Sequence, residues 1–250
     1  MHLEVFAEGD SLFHKTDPRV KIIALSVFAV FCAISQGILV PGMYLIFAVI
    51  LIIIAKPSFK GLMERLFAAN FFVLFIWLFV PLTYGSSPFF RFWILKFSVP
   101  GIIYCFSITL KCNAIVLATI ALIATSTVFD LAHAMLHFKI PARLVTLFFL
   151  FYRYISVMHE EYTKIKRAVL ARGFVPKTSL HTYKTYAYLV GALLLKSFER
   201  SDEVYKAMLC RGFKGFFPLL EHFKLRLRDI FVGSIIILFS TAIFVFQWVK

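Results

Sequence analysis

Long uncharged runs separated by short charged ones set the first prediction. Residues 22–55 form 34 consecutive positions without Asp, Glu, Lys or Arg, and as one helix they would rise about 51 Å against a hydrocarbon core of roughly 30 Å. The run therefore divides into two passes, near 19–35 and 38–55, broken between Gln36-Gly37 and Pro41-Gly42. A single long tilted helix is the alternative, and it would invert every segment after it. A third pass is expected at 62–84, ending in Tyr84-Gly85-Ser86-Ser87-Pro88. Phe89-Phe90-Arg91-Phe92-Trp93-Ile94-Leu95-Lys96 mixes aromatics with two cations and is expected to form an interfacial helix. Further passes follow at 103–127 and 230–249.

Between 127 and 228 the apolar residues recur every three or four positions, which predicts helices rather than strands. Thr127 is a candidate cap for a helix at 128–138 that stops before Ile140-Pro141. A second helix is expected at 142–171, stopping at Gly173, and a third at 180–210, stopping at Gly212. The fold class is thus an all-α polytopic membrane protein with about five transmembrane helices plus three cytoplasmic ones. It divides into a membrane region, 1–127, the three helices, 128–228, and a last pass, 229–250.

Composition agrees with that class: 61% of the residues are hydrophobic, 31 of them Phe, and only 16% are charged. A soluble domain spends about a quarter of its residues on charge. The net charge of +14 is uneven, because residues 1–138 carry nine Lys/Arg against six acids, and 139–250 carry eighteen against seven. By the positive-inside rule the N-terminus, the 56–65 loop and the 139–228 region face the cytoplasm, and five passes put Lys250 outside. Met1-His2-Leu3-Glu4 lacks a basic segment before an apolar run, so no cleaved signal is expected. Cys32, Cys105, Cys112 and Cys210 form no CxxC pair and are expected to be reduced and structural.

The two long helices end alike. At an offset of 39 residues, Glu160, Ala168, Leu170, Arg172, Gly173 and Phe174 align with Glu199, Ala207, Leu209, Arg211, Gly212 and Phe213. One such ending needs no function, since Arg balances the helix dipole and Gly accepts the left-handed conformation. Two in matched context point to recognition: a guanidinium is a planar, permanently charged fork, and flanking small residues let it approach a partner closely. The candidate sites are Ala171-Arg172-Gly173 and Cys210-Arg211-Gly212.

Three segments resemble the T component of energy-coupling factor (ECF) transporters, in the CbiQ branch that serves cobalt or nickel uptake. They are Ser11-Leu12-Phe13-His14-Lys15-Thr16-Asp17-Pro18-Arg19-Val20-Lys21; Thr125-Ser126-Thr127 through Pro141, with Arg153-Tyr154 to Ala171-Arg172-Gly173; and Lys196-Ser197-Phe198-Glu199-Arg200-Ser201 through Val204-Tyr205-Lys206-Ala207-Met208-Leu209-Cys210-Arg211-Gly212-Phe213. With the pass pattern they cover nearly the whole chain. The resemblance implies a non-catalytic scaffold in a prokaryotic inner membrane. Its coupling helices would rest on two CbiO-like P-loop ATPase subunits, which carry the ATP and Mg, and it would hold a CbiM-like S component, with or without a CbiN-like subunit. Arg172 and Arg211 would each enter a groove on one ATPase subunit. Cys210 stands where Ala is usual in the family, a small-for-small exchange. A T component for vitamin-type cargo is the alternative within the same family.

Other chemistry is sparse. No GxxxxGK[ST] loop, GxSxG elbow, HExxH or paired intramembrane carboxylate occurs, so an enzyme has little support and no cofactor is expected on this chain. A self-contained transporter or channel would need ionisable residues inside the bilayer, and Lys111 is the one candidate, expected near the outer end of its pass. Asp130, His133 and His137 share a helix face and could in principle hold a divalent ion, but their apolar neighbours point to packing. Met1-His2 offers nitrogen ligands, most simply by accident. Phe71, Phe72, Phe75 and Trp77 read as lipid-facing or packing surface, and Lys164, Lys166 and Arg167 as contacts to anionic lipid. Nucleic acid is not expected, since no reading motif is present.

Overall fold

The computed structural model describes residues 11, 13–14, 16–83, 88–92, 95–138, 140–215 and 226–249. Its elements are α1 (Pro18–Ile34), α2 (Leu39–Ala55), α3 (Phe59–Thr83), β1 (Pro88–Phe92), β2 (Leu95–Ser98), α4 (Val99–Leu122), α5 (Val128–His137), α6 (Ala142–Ala171), α7 (Leu180–Cys210) and α8 (Leu227–Val249). They fall into two compact units, one of residues 2–134 with 223–250 and one of residues 135–222.

In the first unit the uncharged 34-residue run is two helices. Pro18 at the first turn and the Asp17 carboxylate, which accepts from the Arg19 N–H at 2.9 Å, start α1. It ends at Ser35, whose hydroxyl turns back to the Cys32 carbonyl at 2.7 Å, and Gly37 takes the positive φ of 75° that the turn requires. That break removes the single-helix alternative. Among the described residues, three helices are long and apolar enough to cross a membrane: Phe59–Pro81 of α3, Pro100–Leu122 of α4 and Leu227–Trp248 of α8. The chain is a multi-pass membrane protein. Helices α1 and α2 have 17 residues each, which rise about 26 Å.

Helix α4 packs along α1, α2 and α3, while α8 packs along α1 and α2. Ala114, Ala118 and Ala121 repeat on one face of α4 and are buried in the core with Ala48, Leu51 and Ala55 of α2, so the backbones approach closely, as membrane helices with small interfacial residues do. Phe28 meets Tyr44 edge-on at 5.3 Å and Phe47 stacks on Phe239 at 4.4 Å. Several polar groups between the helices are paired internally: the buried Tyr44 hydroxyl donates to the Ser240 carbonyl at 2.8 Å, and the half-buried Asn70 and Asn113 exchange amide hydrogen bonds at 3.0 Å between α3 and α4.

Two expectations are corrected. The segment expected to be an interfacial helix is an antiparallel hairpin, β1 with β2, with Arg91 opposite Lys96 and Phe92 opposite Leu95. Aromatic residues favour extended, pleated backbone, and pairing satisfies N–H and C=O groups that so short a helix would leave open at both ends. Helix α4 stops at Leu122 rather than near 127. The Thr125 hydroxyl bonds back to the Ala121 and Leu122 carbonyls at 3.1 and 3.2 Å and closes the helix early.

In the second unit α6 and α7, of 30 and 31 residues, run in opposite directions. Ser197 of α7 donates to the Met158 sulfur at 3.0 Å, and Lys196 pairs with Glu161 at 3.1 Å. The Ser179 hydroxyl caps α7 by accepting from the Thr182 N–H at 3.4 Å.

Candidate functional site

Both long helices finish with the same backbone geometry. Arg172 and Arg211 are the C-caps, with φ/ψ of −83°/15° and −90°/10°, and Gly173 and Gly212 follow at φ 79° and 76°. These are left-handed values that a side chain with Cβ adopts only at a cost of about 1–2 kcal/mol. The Gly173 N–H donates to the Leu170 carbonyl at 3.0 Å and the Gly212 N–H to Leu209 at 2.9 Å. At the second tip the Phe213 N–H adds a 3.0 Å bond to the Met208 carbonyl, completing a Schellman closure. Each helix is thereby stopped so that its cap arginine stands at the outermost turn.

All six candidate residues, Ala171, Arg172, Gly173, Cys210, Arg211 and Gly212, are exposed. No atom lies within 4 Å of where a Cβ would stand on either glycine, so a partner's surface has open access. Among the described residues neither arginine has a carboxylate partner. Because the helices run in opposite directions, the motifs lie at opposite ends of the pair. Arg211 stands beside Leu150, Arg153 and Tyr154 of α6, while α6 continues to Ala171, which places the two tips about 30 Å apart.

A half-open cavity of about 560 Å³ adjoins the second tip, with Val204, Ala207, Met208 and Phe213 as its apolar lining and Arg153, Arg211 and Lys214 as its cations. Neither Arg153 nor Lys214 is a candidate from sequence reasoning. Arg153 lies 58 positions before Arg211 in the chain and reaches it only because α6 and α7 fold back on one another.

Other candidates have local partners. Thr127 caps α5 as expected: its hydroxyl accepts from the Asp130 N–H at 3.1 Å and donates to the Asp130 carboxylate at 2.7 Å. Among the described residues no group of three His, Cys, Asp or Glu converges on a point that could hold a metal ion, and His133 is buried in α5. Lys111 lies midway along α4, where its ammonium donates to the Ala33 carbonyl at 2.9 Å and to the Ser35 carbonyl, capping the C-terminal end of α1. Lys164 is engaged by Glu161 at 2.8 Å. Those two lysines, Lys164 and Lys196, hold the Glu161 carboxyl below its ordinary range. Phe71, Phe72 and Phe75 are exposed along α3, and the Trp77 indole donates to Thr109 at 2.9 Å. Met1-His2 lies outside the described residues.

The family model for CbiQ, described as cobalt transport protein, matches residues 9–222. The chain belongs to the CbiQ family. Curated relatives agree in extent: the energy-coupling factor transporter transmembrane protein EcfT of Streptococcus equi subsp. equi is 25% identical over 84% of this chain and 82% of its own length. EcfT of Bacillus subtilis is 25% identical over 84% and 83%. An uncharacterized protein of the archaeon Methanocaldococcus jannaschii is 24% identical over 91% of this chain and 80% of its own. The CbiQ match takes in α1 to α7 and therefore both arginine tips.

Proposed function

We propose that this CbiQ-family chain is the T component of an ECF-type importer, a non-catalytic membrane subunit joining two cytoplasmic ATPase subunits to a substrate-binding S component in the bilayer. The observation that carries the reading is the duplicated helix end: two exposed cap arginines of nearly equal backbone geometry, about 30 Å apart, on one antiparallel pair. A pair of related ATPase subunits offers two equivalent grooves, and the two tips match that duplication. Support for the transporter class comes from the family description and the EcfT relatives.

ATP and Mg would bind the ATPase subunits, the α5–α7 region would face the cytoplasm, and Lys250 would lie outside the inner membrane. Closure of the ATPase pair would bring its grooves together and draw the two tips with them. The α6–α7 pair has polar side-chain links at Glu161–Lys196 and Met158–Ser197, so its two ends can move relative to one another. The S component would respond by tilting and releasing its cargo. Cobalt, which the family's description names, or nickel, which the resemblance of the sequence adds, is the proposed cargo, with selection residing in a CbiM-like S component rather than in this chain.

Replacing Arg172 and Arg211 together by Glu is expected to leave the chain in the membrane, to remove the ATPase from gently extracted material, and to abolish ATP-dependent cobalt or nickel uptake. Wild-type uptake by the double variant would refute the assigned role.

A further inference from the structure

The helices of the membrane unit do not all end at one height, and side-chain hydrogen bonds between them set the levels. At one end Lys21 of α1 donates to the Ser126 hydroxyl at 2.7 Å, just beyond the last residue of α4. At the other, Lys111 in the middle of α4 reaches the Ala33 carbonyl at 2.9 Å and the Ser35 carbonyl, and the Ser107 hydroxyl donates to the Gly37 carbonyl at 2.8 Å. The turn between α1 and α2 is therefore level with Ser107. Helix α8 stops at the same height, because Gln247 in its last turn accepts from the Gln36 N–H at 3.1 Å. Helix α4 extends past that level from Ser107 to Val99, a rise of about 12 Å. Helix α3 keeps pace with α4: Asn70 pairs with Asn113 at 3.0 Å and the Cys105 thiol with the Ile76 carbonyl at 3.7 Å, so α3 from Ile76 to Thr83 also lies past the turn. The bundle is stepped, with α1, α2 and α8 on the low side and α3 and α4 on the high side.

The two sides differ in chemistry at the same height. On the low side Gln36, Gly37 and Ile38 are non-helical and exposed, and exposed irregular backbone does not occur within hydrocarbon, where its N–H and C=O groups lack partners. Trp248, 77% exposed in the last turn of α8, stands at that level too, and tryptophan collects at the headgroups. On the high side the surface stays apolar past the turn, with Leu78 and Phe79 of α3 and Ile102, Ile103 and Phe106 of α4 all exposed. One flat bilayer surface cannot serve both sides. Set at the turn, it leaves about 12 Å of apolar helix in water; set at the start of α4, it sinks the turn into lipid tails. The 17 residues of α1 rise about 26 Å against a core of roughly 30 Å, and a bilayer meets a short span by thinning beside it. Lys111 does not lengthen the span by snorkelling, because its ammonium is turned to the α1 carbonyls.

We propose that the step is a binding surface for phospholipid headgroups, which draws the bilayer surface down to Gln36–Ile38 and Trp248 beside α1, α2 and α8 and leaves it at full height along α3 and α4. With the N-terminus in the cytoplasm, it is the outer leaflet that is thinned. This binding follows from the multi-pass membrane class and stands whether or not the coupling reading holds.

The test uses the full chain in nanodiscs of phosphatidylcholine and phosphatidylglycerol doped with a lipid that carries a nickel chelate on its headgroup. Cys112→Ser and Cys210→Ser remove the two native thiols that are not buried, and a nitroxide is attached through Gln36→Cys or Leu74→Cys. Leu74 is exposed on α3, two residues before Ile76 and so close to the height of the turn. Headgroup nickel is expected to speed relaxation of the nitroxide at 36 severalfold more than at 74, and dissolved oxygen, which concentrates in the lipid tails, to do the reverse. Equal nickel effects at both positions would mean a flat surface with α3 and α4 protruding, and no effect at either would mean that the turn lies in the tails; each overturns the step. A soluble nickel chelate reaching 36 where headgroup nickel does not would mean water without lipid, and would overturn the headgroup site. Should the labelled chains fail to accumulate, amide hydrogen exchange of the parent in the same nanodiscs decides. Residues 36–38 are expected to exchange as an open loop does, while protection equal to that of 110–118 in α4 would overturn the step.

Discussion

Arg172 and Arg211 occupy the one helix position where a cation both completes the carbonyl end of the helix and stands clear of it. The dipole accounts for a basic residue there, but it does not require exposure, a following left-handed glycine or repetition, and all three are present. The residue before Arg211 supplies a direct probe. Cys210 is exposed, whereas Cys32 and Cys105 are buried and Cys112 is partly covered, so a bulky membrane-impermeant maleimide should label Cys210 first. Labelling before assembly is expected to prevent ATPase retention, and an assembled complex should be protected several-fold. Equal labelling rates with and without the ATPase would place the contact elsewhere. Motif spacing made these six residues legible in the sequence. Arg153 and Lys214 were not, because nothing in a linear pattern indicates which turn of α6 lies beside the end of α7.

At the scale of elements, periodicity located the long helices well: the expected 142–171 and 180–210 are α6 and α7, because glycine and proline beyond each end stop a helix without tertiary help. It failed at 89–96, where a short aromatic run suits strand or helix and only pairing with a neighbour decides. The α6–α7 pair also yields a pH prediction. Glu161 lies below its ordinary 4.5 because Lys164 and Lys196 bond to it. A depressed carboxyl contributes stability above its unfolded pKa and loses it as pH falls through the folded value, so the link should weaken below about pH 4.5 and persist at neutrality. Paired spin labels on exposed positions of α6 and α7 should report a broader distance distribution in acid. Glu161→Gln should show that broadening at neutral pH and little further change; because the pair is solvated, the effect on overall stability is small.

For the whole molecule, two 17-residue helices and three longer ones place the chain ends on opposite sides if all five cross. A protease-cleavable tag after Lys250 should be cut in intact cells, and one before Met1 only after the membrane is opened. Cutting of both from the same side would mean an even number of crossings, so that at least one of the five helices does not span the membrane. The charge asymmetry behind this topology is a property of sequence, since a lysine-rich loop is retained in the cytoplasm whatever the fold.

Membrane class, the division of the 22–55 run into two helices, the ends of α6 and α7 and the repeated arginine device were legible in the sequence alone, because each depends on residues within a few turns of one another. Four features were decided only by the tertiary structure: the placing of the two tips at opposite ends of one pair, the cationic cavity beside Arg211, the use of Lys111 as a cap for α1, and the meeting of Lys21 with Thr125 and Ser126. The physical reason is the same in each case. A buried or clustered charge is tolerated only where distant segments supply its partners, and the chain records the partners without recording that they meet.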